Sequence, residues 1–196
     1  MYDYIKGELI ELTPTEVVLD SNGIGFKILI SIQTYSSLKH GEKVKLYIHH
    51  HVREDLEQLF GFHDKDERFI FRNLIDVSGI GPNSARMMLS SLTSDEIRNA
   101  IIAGDLNKLK SIKGIGLKTA QRLLIELKDK IAKGSSVDIS SSLYPTSDTS
   151  RKDEAASALI LLGFTKANVE KVLDSLIREN PSYTLEELIK LSLKKL

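Results

Sequence analysis

The chain has no cysteine, which excludes disulfides, thiolate metal sites and cysteine nucleophiles together. It also lacks an apolar run fit for a bilayer. The longest, Ala155 to Phe164, is interrupted by Ser157, whereas a spanning helix needs roughly 20 apolar residues. The start, Met1-Tyr2-Asp3-Tyr4, has no basic segment leading into an apolar one, so no export signal is expected and the cytoplasm is the expected compartment. Net charge is missing too, with 27 Lys and Arg against 27 Asp and Glu. That zero conceals unlike parts. Residues 1 to 62 hold 6 basic against 9 acidic side chains, residues 63 to 133 hold 13 against 9, and residues 134 to 196 hold 8 against 9. A basic middle lies between an acidic start and a nearly neutral end, and a basic stretch suits an anionic partner.

The same middle contains a repeat. Val77-Ser78-Gly79-Ile80-Gly81-Pro82-Asn83-Ser84-Ala85 returns as Ile112-Lys113-Gly114-Ile115-Gly116-Leu117-Lys118-Thr119-Ala120, with an offset of 35 residues. In each copy a Gly-Ile-Gly turn opens onto a helix-forming segment, which predicts helix, hairpin turn and second helix. Glycine tolerates positive φ and lets a foreign surface approach the backbone. The free N–H groups of the turn and of the following helix start point outward, where the helix dipole also favours an anion. Such a turn suits a phosphate. Paired helix-hairpin-helix motifs of this kind would hold the sugar-phosphate backbone and so read shape rather than base sequence.

Around the repeat the chain divides into segments. Residues 1–63 read as about five short strands, the size of a small OB-like barrel. Thr15 to Asp20, Phe26 to Ile30 and Val44 to His49 are rich in β-branched and aromatic residues, and turns at Thr13-Pro14, Ser21-Asn22-Gly23 and His40-Gly41 separate them. Residues 64–133 switch to helical spacing. Asp64 is the expected N-cap of a helix facing inward through Phe69, Ile70, Asn73 and Leu74, and Thr93 to Glu96 fits a capping box. Residues 134–150 contain seven serines and read as a flexible linker. Residues 151–196 read as a small three-helix unit. Its expected stripes are Ala155, Ala158, Leu159 and Leu162; then Val169, Val172, Leu173, Leu176 and Ile177; then Leu185, Leu188, Ile189 and Leu193. So small a unit is expected to be gripped by a partner.

Other motifs lead to weaker chemistry. Lys118-Thr119 after glycines fails the P-loop pattern, because Leu117 separates Gly116 from Lys118. Lys118 reads better as a point charge for phosphate, with Lys113 and Arg122 near it. His49-His50-His51 lacks metal-site spacing and reads as strand residues, so neither a metal nor a cofactor is expected. Arg53-Glu54-Asp55 falls at a strand turn. Such a tip can simply be solvated; facing DNA, each carboxylate would repel a phosphate roughly 6 Å away by about 3 kcal/mol at an effective dielectric near 20, before screening.

Taken in order, these segments resemble the RuvA family, the Holliday-junction-binding subunits of a bacterial branch-migration machine. Val52 to Phe62 is similar to the family's acidic-pin hairpin, and Leu109 to Ala120 to its second DNA-gripping motif. The resemblance implies a multidomain α+β chain: an N-terminal OB-fold β-barrel, a central all-α tandem helix-hairpin-helix domain, a flexible linker and a C-terminal UBA-like three-helix domain. It implies a homotetramer, able to pair into an octamer, that holds four-way junction DNA open. DNA contacts are expected from Gly79, Gly81, Ser84, Arg86, Lys113, Gly114, Gly116, Lys118, Thr119 and Arg122, with Glu54 and Asp55 as the acidic pin. The C-terminal unit, through Leu159, Leu162 and Leu173, is expected to meet the RuvB ATPase motor, with the RuvC resolvase as a further partner. No catalytic residue is implied. Two departures stand out: Asn83 where relatives often carry lysine, and Leu117 where a second lysine is frequent. A rival reading, a helix-hairpin-helix DNA glycosylase, would pair Lys118 with Asp138. A general protein-interaction adaptor is a third.

Overall fold

The computed structural model describes residues 1–134 and 148–196, with side chains described to Ile131 and again from Arg151. They form two compact units, one on each side of the undescribed stretch. The serine-rich segment 134–150 therefore lies largely outside the described residues. Its ends are helical: Gly134 closes one helix and Asp148 opens the next.

The first unit begins with strands β1 (Tyr4–Leu12), β2 (Glu16–Ser21) and β3 (Ile24–Ile30), a short helix α1 (Ile32–Ser36), and strands β4 (Lys43–Val52) and β5 (Glu57–Phe62). They close into a barrel of order β1-β2-β3-β5-β4, with β4 returning to β1. Alternation does the sorting: Val17 and Leu19, Ile28 and Ile30, and Leu46 and Ile48 point inward and are buried. A register shift between Leu9 and Glu11 interrupts the β1–β2 ladder, and such bulges bend a strand toward closure. Helix α1 has no counterpart in the sequence reading. Its start is capped by Ser31, whose Oγ accepts from Thr34 N–H at 3.0 Å.

Helices α2 (Lys65–Asp76), α3 (Pro82–Ser91), α4 (Ser94–Ala103), α5 (Leu106–Lys110) and α6 (Leu117–Gly134) follow. Asp64 caps α2, accepting from Glu67 N–H at 2.7 Å, and the Thr93–Glu96 capping box is formed at α4. The buried face of α2 is Ile70, Phe71 and Leu74, while Phe69 and Asn73 are only half-buried. The expected face was turned because α2 packs on β5 as well as on its sister helices. Phe71 meets Phe62 at 4.8 Å and Phe60 at 5.2 Å between ring centroids. One apolar core thus runs from β5 through α2 to Met88, Ile97, Leu123 and Leu127.

The second unit consists of α7 (Asp148–Leu161), α8 (Lys166–Glu179) and α9 (Leu185–Lys195). Gly163, at φ +100°, separates α7 from α8, and the Thr184–Glu187 capping box starts α9. Leu159 and Leu173 are fully buried with Ala155, Val169, Leu176 and Leu188. That corrects their assignment to a partner surface, since they hold their own unit together. Leu162 is exposed, and Leu161 beside it is 86% exposed. Near the end of α9 it is Ser192 rather than Leu193 that joins Leu188 in facing inward; its Oγ is buried with no hydrogen-bond partner. No helix among the described residues is long and apolar enough to cross a membrane.

Candidate nucleic-acid interface

The repeat in sequence is a repeat in geometry. Gly79 and Gly114 both take positive φ, +94° and +89°, which a side chain would strain by about 1–2 kcal/mol. The next N–H closes each turn: Ile80 donates to the Val77 carbonyl and Ile115 to the Ile112 carbonyl, both at 3.0 Å. Both isoleucines, with Val77 and Ile112, are buried anchors. The following helix then starts from glycine: Ala85 donates to the Gly81 carbonyl at 3.0 Å and Ala120 to the Gly116 carbonyl at 2.9 Å. Gly81 offers α3 no side-chain cap, and Pro82 follows it at the first helical position. A Cβ built on Gly79, Gly81, Gly114 or Gly116 would meet nothing within 4 Å. The outer face of each turn is open, and the first N–H groups of α3 and α6 lack intrahelical acceptors. Both turns have the form of an anion seat.

Side chains divide differently. Lys113 and Lys118 are exposed at the second hairpin, and Ser84 and Thr119 occupy matching, half-buried places in the first turns of α3 and α6. Arg86 is turned the other way. Its Nη1 donates to the Thr15 carbonyl at 2.8 Å, and burial holds its guanidinium below the ordinary arginine pKa. Through this bond it ties α3 to the barrel, so one arm of the guanidinium expected at DNA is engaged within the chain. Arg122 is exposed, yet its Nη1 donates to both the carbonyl and the Oγ of Ser78 at 3.3 Å. The second motif therefore touches the tip of the first. Ser78 was missed among the candidates, although the register of the repeat pairs it with Lys113.

Glu54 and Asp55 sit at the tip of the β4–β5 hairpin, in a tight turn where Arg53 N–H donates to the Leu56 carbonyl at 2.7 Å. Both acidic residues are exposed, and Val52 and Leu56 beside them are exposed as well. The histidine triplet lies on β4 at the base of this hairpin. His50 Nε2 pairs with Glu57 Oε1 at 2.6 Å, and Arg53 Nε donates to His51 Nε2 at 3.0 Å. His49 packs against Phe60 and Phe71. Burial first, then the nearby Arg72, pulls its pKa down to about 4. Among the described residues no group of three or more His, Cys, Asp or Glu could hold a metal ion. Asp138, the rival reading's carboxylate, falls outside the described residues.

Comparison with known proteins agrees along the whole chain. Residues 1–61 match the RuvA N terminal domain, residues 71–129 a SAM-like helix-hairpin-helix tandem, and residues 150–196 the RuvA C-terminal domain. A protein of Christiangramia forsetii is 45% identical over 196 residues, one of Bacteroides fragilis 45% over 201, and one of Flavobacterium psychrophilum 46% over 196, each alignment covering 100% of both chains. All three carry the name Holliday junction branch migration complex subunit RuvA. With two matching open hairpins, a closed five-stranded barrel and full-length similarity of this degree, the chain belongs to the RuvA family.

Proposed function

We propose that this protein binds four-way DNA junctions by shape, keeps them open, and serves as the non-catalytic subunit that recruits and regulates an ATP-driven motor for branch migration in recombination and repair. One observation carries the reading: two hairpins of the same backbone geometry, both with glycine faces open to solvent, in a chain similar end to end to branch-migration subunits. Backbone N–H groups of Gly79, Gly81, Gly114 and Gly116 hold phosphates, and Lys113 and Lys118 add charge. Assembly as a homotetramer, pairing into an octamer, multiplies two hairpins per chain around a cross-shaped substrate. The motor is RuvB, met by the C-terminal unit with the exposed Leu162, and RuvC shares the junction. The protein works in the cytoplasm. Glu54 and Asp55 stand at the crossover, where their charge separates exchanging strands. The glycosylase alternative is not favoured, since full-length relatives are named as complex subunits.

A gel shift tests the reading: a synthetic four-way junction against a linear duplex of equal length, with excess competitor at fixed salt. Preference for the junction is expected; equal affinity would count against it. For the pin, Glu54→Gln with Asp55→Asn should keep or tighten junction binding while altering the branch-migration rate. An unaltered rate would refute that role.

A further inference from the structure

Between the barrel and the helical module lies a buried carboxylate that the hairpins do not use. Glu67, in the first turn of α2, is 4% exposed. Its two oxygens accept from two hydroxyls of the barrel's short helix: Ser31 Oγ donates to Oε1, and Thr34 Oγ1 donates to Oε2 at 2.6 Å. Both hydroxyl oxygens are already occupied as acceptors. Ser31 Oγ takes Thr34 N–H at 3.0 Å, and Thr34 Oγ1 takes His63 N–H at 3.1 Å. The hydroxyl hydrogens are thereby free to turn to Glu67, and the network demands an acceptor at both of its oxygens. Burial raises the carboxyl's pKa above the ordinary glutamate value, against the hydrogen bonds that lower it, so a carboxyl stands here at a cost that an apolar contact would not carry.

A fully satisfied buried hydrogen-bond network makes the contact it spans rigid and specifies one arrangement of it. We propose, on the junction-binding reading above, that Glu67 is a positioning residue: by clasping Ser31 and Thr34 it sets the angle at which the helical module, with both hairpins, leaves the barrel. The hairpins do not touch Glu67, so duplex gripping within one chain does not need it. Matching four arms at once does, because the barrels assemble and the hairpins must then arrive at the arms together.

The test uses the full chain with Glu67→Gln, which keeps size and replaces one acceptor oxygen with an amide donor. Three quantities are measured: affinity for linear duplex, affinity for an immobile four-way junction, and arm-to-arm distances in the bound junction by fluorescence energy transfer between dye-labelled arm ends. Duplex affinity should change by less than about twofold while junction affinity falls about tenfold, the size of one lost buried hydrogen bond, and the arm distances should spread. Thr34→Val, which at nearly constant shape removes one of the two hydroxyl donors together with the acceptor of His63 N–H, should reproduce the pattern. It carries the same expectation if Glu67→Gln does not fold. Adding it to Glu67→Gln should cost little more than either change alone. Equal loss on both substrates, or unaltered arm distances, would overturn the role. A wild-type protein with no junction preference would instead overturn the function itself, which keeps the two failures distinct.

Discussion

At the tip of the first hairpin stands Ser78, and the second position of its following helix is Asn83; in the second hairpin the same places hold Lys113 and Lys118. Backbone geometry is shared to within a few degrees and a tenth of an ångström, yet the charge is all on one side. The first hairpin has bracing instead. Pro82 opens its helix, Arg86 ties that helix to the barrel, and Arg122 reaches its tip from α6. On the junction-binding reading proposed above, the difference teaches that holding a phosphate would have two separable parts: a main-chain seat, whose geometry both hairpins share, and a long-range attraction, which the second would mostly supply.

The sharpest way to break this comparison removes the part they share. Gly81 has φ −89°, and neither it nor Gly116 lies in the left-handed region, so alanine at both should cost the fold about 1 kcal/mol or less each as poorer helix starts. The added methyls would fill the open space that the proposed reading gives to a phosphate, and on that reading junction affinity should fall about 10- to 100-fold in a titration. Gly79→Ala is the contrast, destabilising the fold itself by about 1–2 kcal/mol in chemical denaturation because of its positive φ. Next, the charge can be moved. Lys113→Ala with Lys118→Ala should lower the slope of log affinity against log salt by roughly 2 for each bound subunit, whereas Asn83→Lys should raise it by about 1 for each. Smallest is Arg122→Ala. Loss of an exposed hydrogen bond to Ser78 should change stability by under about 0.5 kcal/mol and affinity by at most about threefold; a larger fall in affinity would mean that Arg122 also meets DNA.

Local features were legible in the residues because local physics decides them. Asp64 and Thr93 announced helix starts through their own side chains, and the 35-residue repeat announced both hairpins. Contacts made across the fold were not. Nothing near Arg86 in the sequence points to its acceptor at Thr15, 71 residues earlier. Leu159 and Leu173 were expected at a partner surface with the family resemblance, but the spacing that puts them on their helices' apolar stripes builds their own unit's core. Phe71 was passed over for Phe69 because β5, which the helical period does not register, turns α2 toward the barrel. Helix α1 is too short, at five residues, to display a period at all.

Only His63 and Asp64 separate β5 from α2, and Phe60 and Phe62 belong to the same core as Phe71. Heat therefore finds no seam there. Calorimetry should register barrel and helical module melting in one cooperative peak, and a substitution that loosens either half should lower the temperature at which both are lost.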